Sequence, residues 1–129
     1  MNKTTFMDKY PVQSLEIKKT DTKYKNVDEI IDYLKTFVDA HPVCFYIAIF
    51  DHYAHTTSLK DSVIAPEIKD AKNLVFCFGK QLNDPKILAV RPRSIGVTEL
   101  EDSFSLDFID APNEQLNNTM IEWVKSIKS

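Results

Sequence analysis

Two apolar runs without polar alternation constrain the fold more than any other feature of the chain. They occupy residues 43–50 (VCFYIAIF) and 74–78 (LVFCF). A strand with one solvated face alternates polar and apolar side chains, whereas a strand covered on both faces carries a continuous apolar run. Each run is much shorter than the roughly 20 residues that a membrane span needs. The sequence therefore predicts two strands with cover on both faces, the first of them central, and no membrane association.

Two other segments have the periodicity of amphipathic helices. Residues 27–40 place apolar side chains at positions i, i+3, i+4 and i+7, and Asn26 is a suitable N-cap. His41 should end this helix, because the residue before a proline is disfavoured in the α conformation. The second helix is predicted over residues 112–127, with Pro112 in its first turn. Its apolar stripe consists of Leu116, Met120, Trp123, Val124 and Ile127.

Weaker patterns predict the remaining elements. Residues 12–18 and 86–90 are interpreted as strands, and residues 103–109 alternate as a half-exposed strand near an edge does. Residues 51–65 are interpreted as a long polar loop, with a helical turn inside it as an alternative, and residues 66–71 as a short helix. The order β-α-β-(α)-β-β-β-α, with short connections in the second half, predicts an α+β fold. Its sheet should be mostly antiparallel, with the helices mainly on one face.

The composition indicates a single globular domain over residues 1–129 that is ordered except at its ends. The net charge of −3 does not suggest a nucleic-acid-binding protein, which usually shows a basic excess. No apolar segment of a signal peptide opens the chain, so a cytoplasmic location is expected. With only two glycines, a glycine-rich phosphate loop is excluded and no cofactor is predicted.

Cys44 and Cys77 lie inside the apolar runs and are expected to be reduced, buried and unreactive, with a disulfide as the less favoured alternative.

The order of several short motifs resembles a known bacterial family. The run FDHYAH at residues 50–55 follows a helix and a strand, LVFCFGK follows at 74–80, and DAPN comes at 110–113. Over residues 26–125 these landmarks resemble the family called domain of unknown function 302, although residues 80–81 depart from its Asn-Pro turn. The resemblance implies a compact α+β fold, often paired as a dimer, and no established activity.

Asp51, His52 and His55 form the first candidate ligand-binding cluster. Imidazole and carboxylate groups are common ligands of transition metals, and two histidines at i and i+3 share a face if the segment is helical. A structural zinc ion needs four ligands, however, and neither a Cys-x-x-Cys motif nor a second histidine pair is present. Hydrogen-bonded or solvated loop histidines are therefore favoured over a metal site, and a pH-sensitive contact is a further alternative.

Arg91 and Arg93 form the second candidate cluster. Two neighbouring guanidinium groups can bind a carboxylate or a phosphate, so a small anion is a candidate ligand. The competing interpretation pairs these arginines on the surface with the acidic residues that follow them, Glu99, Glu101 and Asp102.

The leading hypothesis is a non-catalytic ligand-binding or interaction module that self-associates as a homodimer. Two helices cover one face of a sheet, so an apolar second face needs a partner subunit. The competing account lets the segment 51–73 fold over that face, with Leu59, Val63 and Ile64 as its apolar contacts. The alternative function is a small metal-dependent or anion-substrate enzyme that uses the loop of Asp51, His52 and His55 with Arg91 and Arg93.

Overall fold

The computed structural model describes residues 1–129, and six antiparallel strands form one sheet in the order β1-β2-β6-β5-β4-β3. The predicted α+β class and the antiparallel sheet are confirmed. No helix has the length and apolar character that would let it cross a membrane. The strands are β1 (Asn2–Phe6), β2 (Tyr10–Lys18), β3 (Cys44–Phe50), β4 (Asp70–Phe78), β5 (Arg93–Glu99) and β6 (Ser103–Ile109). The helices are α1 (Val27–Ala40), α2 (His52–Thr57), α3 (Ile87–Val90) and α4 (Glu114–Lys125), and a 3-10 turn spans Lys19–Asp21.

Helix α1 begins and ends where the sequence predicts. The Oδ1 atom of Asn26 accepts a hydrogen bond from the backbone N–H of Glu29 at 2.8 Å, and this satisfies one of the unpaired N–H groups of the first turn. The backbone of His41 is extended (φ −80°, ψ 131°), as expected before a proline. The apolar stripe of α1 packs on the sheet through five buried side chains: Val27, Ile30, Ile31, Leu34 and Val38.

Helix α4 joins the same core through Trp123. The indole stacks on Phe37 of α1 at 5.8 Å and on Phe78 of β4 at 5.7 Å between ring centroids. His41 meets the indole edge-on at 6.1 Å. Trp123 thus contacts both α1 and the sheet, and these contacts contribute to the packing of α4 on the core.

The opposite side of the sheet, here called the open face, is polar over most of its area. Asp107 of β6 accepts hydrogen bonds from Ser14 at 2.5 Å and from Ser105 at 2.7 Å. Helix α2 lies over the end of β4 on this face, beside Ala71 and Thr98. Towards β3 the open face carries exposed apolar side chains, and there Phe45 pairs with Cys77.

The sequence-based positions of two strands are wrong. Residues 43–50 were predicted to be central, but β3 is an edge strand that pairs with β4 alone. Residues 103–109 were predicted to lie near an edge, but β6 is central, between β2 and β5. An apolar run shows which side chains a strand carries, not whether anything covers them. The alternation in β6 reflects its polar open face and its buried opposite face.

Four further local predictions are corrected. Residues 86–90 form helix α3 and the turn before it. The side chain of Asp84 stabilises this turn by accepting a hydrogen bond from the N–H of Lys86 at 2.8 Å. The predicted helix over 66–71 is a turn that leads into β4. Helix α4 begins after the N-cap Asn113, whose Oδ1 accepts from the N–H of Leu116 at 3.0 Å, so Pro112 precedes the helix. The N-terminal residues, expected to be disordered, form strand β1.

Candidate functional site

The side chain of Asp51 has a structural task at the start of helix α2. Its Oδ1 atom accepts a hydrogen bond from the backbone N–H of Ala54 at 2.9 Å. Its Oδ2 atom lies 3.8 Å from the Nζ atom of Lys72, which also contacts Asp28 at 2.5 Å. The pKa of the Lys72 ammonium is raised, mainly by its hydrogen bond to Asp28 and further by the nearby negative charges of Asp28 and Asp51.

His52 and His55 both lie next to the ring of Phe50. The ring centroids are 5.2 Å and 5.4 Å from that of Phe50, and both histidines are exposed. The Nδ1 atom of His52 is 3.3 Å from the Oδ1 atom of Asn73. No group of three or more His, Cys, Asp or Glu side chains is placed to hold a metal ion. Helix α2 thus brings the two histidines to one aromatic side chain.

Arg93 is a buried guanidinium at the start of β5. Only 6% of the residue is exposed. Its NH2 group donates to the carbonyl of Ile109 and its NH1 group to that of Val90 at 3.5 Å, while its Nε–H has no acceptor. Burial lowers the pKa of the Arg93 guanidinium, and the charge of Asp110 partly opposes this shift.

Arg91 is half-buried and lies against the turn that follows β4. Its NH1 group donates to the carbonyl of Gln81 at 2.9 Å. The guanidinium lies over Gly79, where a Cβ atom would come within 2.6 Å of the Arg91 Cζ atom. Gly79 also has a φ of +110°, which side-chain-bearing residues rarely adopt. Glycine at this position therefore provides both the turn and the space for Arg91.

The acidic residues downstream do not neutralise the arginines. Glu99 pairs with Lys19 at 2.7 Å, and Glu101 lies 3.9 Å from Lys69. The interpretation that Arg91 and Arg93 form surface ion pairs with these acids is wrong, because β5 carries the acids to the opposite end of the strand.

The two candidate clusters lie in different places. Arg91 and Arg93 line a cavity of about 300 Å³ together with Asn113, before α4. His52 lines another cavity, of about 310 Å³, beside Ala71 at the opposite end of β4. The arrangement on which the enzyme alternative depends, with histidines and arginines around one cavity, is not assembled.

Both cysteines are half-buried free thiols rather than fully buried ones. Partial burial, with a smaller effect of the neighbouring Cys77, raises the pKa of the Cys44 thiol to about 12. At neutral pH the Cys44 sulfur is therefore protonated, which is the unreactive form. Low reactivity of both thiols remains a prediction.

An exposed apolar surface at the β3 end of the open face was only partly recognised from sequence. Four of its side chains, here called the β3 patch, are 44–74% exposed: Phe45, Ile47, Leu82 and Leu88. Ile47, Leu82 and Leu88 line one shallow groove of about 410 Å³ with Cys77, and Cys77 pairs with Phe45 across the strands. The apolar run 43–50 signalled the first half of this patch. Leu82, in the loop after β4, and Leu88, in helix α3, gave no sequence signal.

Fold and surface together define an α+β protein with one antiparallel sheet and an uncovered apolar edge. The chain belongs to a family of unknown function (DUF6858), whose model matches residues 1–129. The resemblance to the domain of unknown function 302 is not confirmed. Comparison with curated proteins and with solved structures finds no match.

Proposed function

We propose that this protein is a non-catalytic interaction module that self-associates as a homodimer through edge strand β3. The observation that carries the proposal is that β3 hydrogen-bonds to β4 on one side only. Its other side leaves backbone N–H and C=O groups without a sheet partner, which is a template for a further strand. The sequence of β3, CFYIAIF, contains no charged residue and no proline that would block such pairing.

The two edges of the sheet differ in a way that supports this assignment. At the far edge, β1 has the sequence NKTTF, and Lys3 binds Asp110 at 2.8 Å. A short polar edge strand that carries lysine discourages strand addition. At the near edge, β3 has a bulge around Ile47 as its one protective feature. An apolar, uncharged edge beside an exposed apolar patch is typical of an interface.

A second copy of the chain fits this edge. Two β3 strands that pair antiparallel around a two-fold axis make a symmetric interface, in which the same surface is used twice. The axis is then perpendicular to the sheet, so both open faces lie on the same side. Phe45 and Ile47 of the two copies would then lie on the same face of the joined sheet, next to the junction. Backbone pairing and the contact of two apolar patches would then act together in one dimer.

Sedimentation velocity of the untagged protein at micromolar concentration tests the proposal. We expect a mass of twice the 14.9 kDa chain, with dissociation on dilution. A mass that stays at that of one chain throughout the micromolar range would overturn self-association.

A further inference from the structure

The guanidinium of Arg93 is a buried positive charge without an ionic partner. No carboxylate lies within salt-bridge distance of either Arg93 or Arg91. The acid that acts on Arg93 is Asp110, and its oxygens are already bound by Lys3 at 2.8 Å, Gln13 at 3.0 Å and Asn117 at 2.6 Å. An uncompensated buried charge is costly, so a site that retains one is suited to an external counter-charge.

A second cation faces the same cavity. Arg91 and Arg93 both line the cavity of about 300 Å³, with Pro112, Asn113 and Leu116 on the other side. Two guanidinium groups offer many N–H donors in planar arrays that match the oxygens of a carboxylate or phosphate. Asn113 caps the twelve-residue helix α4, and the N-terminal end of a helix also favours negative charge. No acidic side chain lines this cavity.

The adjoining cavity has a mixed lining, with apolar side chains beside polar ones. It measures about 240 Å³, shares Arg91, Asn113 and Leu116 with the first, and is otherwise lined in part by His41 and Phe78. A ligand that reaches from one cavity to the other would meet the two guanidinium groups at one end. At the other it would meet Val43, Phe78 and Leu116 beside the polar side chains of Gln115 and Thr119. Small-molecule sites usually combine an apolar lining with a few polar groups in this way.

We propose that these two cavities bind a small organic acid, whose oxyanion lies between Arg91 and Arg93 and whose apolar body packs on Phe78 and Leu116. The site adjoins the proposed dimer edge, because Arg91 also lines the groove of the β3 patch, but the contacts proposed for the ligand do not depend on self-association. Binding requires no chemistry at the ligand. The oxyanion of the ligand supplies the negative charge that Arg93 lacks within the fold.

A nuclear magnetic resonance titration of the ¹⁵N-labelled protein tests this inference, with benzoate and inorganic phosphate as the probes. We expect benzoate to shift the arginine Nε–H resonances and the Gly79 amide in a saturable manner. Phosphate should shift the same resonances more weakly, because it lacks an apolar body. Phosphate binding at least as tight as that of benzoate would contradict the organic-acid assignment. The absence of saturable shifts with both anions would overturn the site.

Matched variants separate the site from general electrostatics. Arg91→Gln should weaken benzoate binding at least about tenfold, because it removes a charge-assisted contact. Lys125→Gln makes the same change of charge at the far end of α4 and should leave the affinity unchanged. Equal affinities of the wild type and Arg91→Gln would contradict the proposal. Arg93→Met should also abolish binding if it folds, but Arg91, which is half-buried, provides the decisive comparison.

Discussion

Replacement of Trp123 by alanine is expected to lower the free energy of unfolding by about 3–5 kcal/mol. The indole is 7% exposed and stacks on both Phe37 and Phe78. Its removal leaves a cavity where α1, α4 and the sheet meet. The folded variant buries less apolar surface and loses the ring-stacking contacts, and both losses lower the free energy of unfolding. A loss of this size is a large fraction of the stability of an ordinary domain, which is about 5–15 kcal/mol.

Urea titration at one fixed protein concentration measures this effect, since self-association would itself add concentration-dependent stability. Asn118→Ala is the matched control, because Asn118 is an exposed residue of the same helix. Its effect should stay within about 0.5 kcal/mol. A Trp123→Ala variant that loses less than about 1 kcal/mol would show that α4 is held to the sheet by other contacts.

Replacement of Phe45 by lysine is expected to convert the dimer into a monomer with little loss of monomer stability. Phe45 is 72% exposed in the single chain, so its contribution to the fold of that chain is small. Lysine on an edge strand opposes strand addition, and the two-fold axis would bring two copies of the new charge close together. The predicted result is a sedimentation mass of 14.9 kDa at concentrations where the wild type is dimeric.

Thr4→Lys is the control for this experiment. It introduces the same charge in the centre of strand β1, the other edge of the sheet, where all five residues are exposed. This variant should remain dimeric. If both variants are dimeric, an interface other than β3 holds the two copies. If Thr4→Lys alone is monomeric, β1 is the dimer edge.

Periodicity in the sequence predicted the elements that contribute one clear stripe to the core. Helix α1 follows its predicted apolar pattern, begins after the predicted N-cap Asn26 and ends before the proline. These predictions succeed because each signal acts within a few residues. The stripe of α4 is likewise correct around Trp123, although the helix starts later than expected. Local signals of this kind need no knowledge of the rest of the chain.

The position of a strand within the sheet depends on contacts that no local pattern records. The run at 43–50 is apolar throughout, yet Phe45 and Ile47 of β3 are exposed. The segment 51–73 covers the open face only in part: helix α2 lies over the end of β4, whereas Val63 is 88% and Leu59 51% exposed. The run therefore signalled an apolar surface correctly, and the error was to place the strand at the centre of the sheet.

The candidate site could likewise be predicted only in part from the sequence. The sequence brought Arg91 and Arg93 to attention because they are neighbours in the chain. It could not show that Arg93 is buried without a carboxylate partner, or that Asn113 from a distant segment lines the same cavity. The enzyme alternative also grouped these arginines with His52, which lies at the opposite end of β4 in the structure. Residues far apart in sequence form a site only through the pairing of β4, β5 and β6.

Amide hydrogen exchange in strand β3 tests the central claim most directly. In the isolated chain, the N–H groups of β3 that point away from β4 lack a strand partner, as do those on the outer side of β1. If two β3 strands pair, the outward β3 amides of the wild type should exchange slowly, while the outer β1 amides exchange fast in the same sample. In Phe45→Lys both sets should exchange fast. Outward β3 amides of the wild type that exchange as fast as those of β1 would contradict the account.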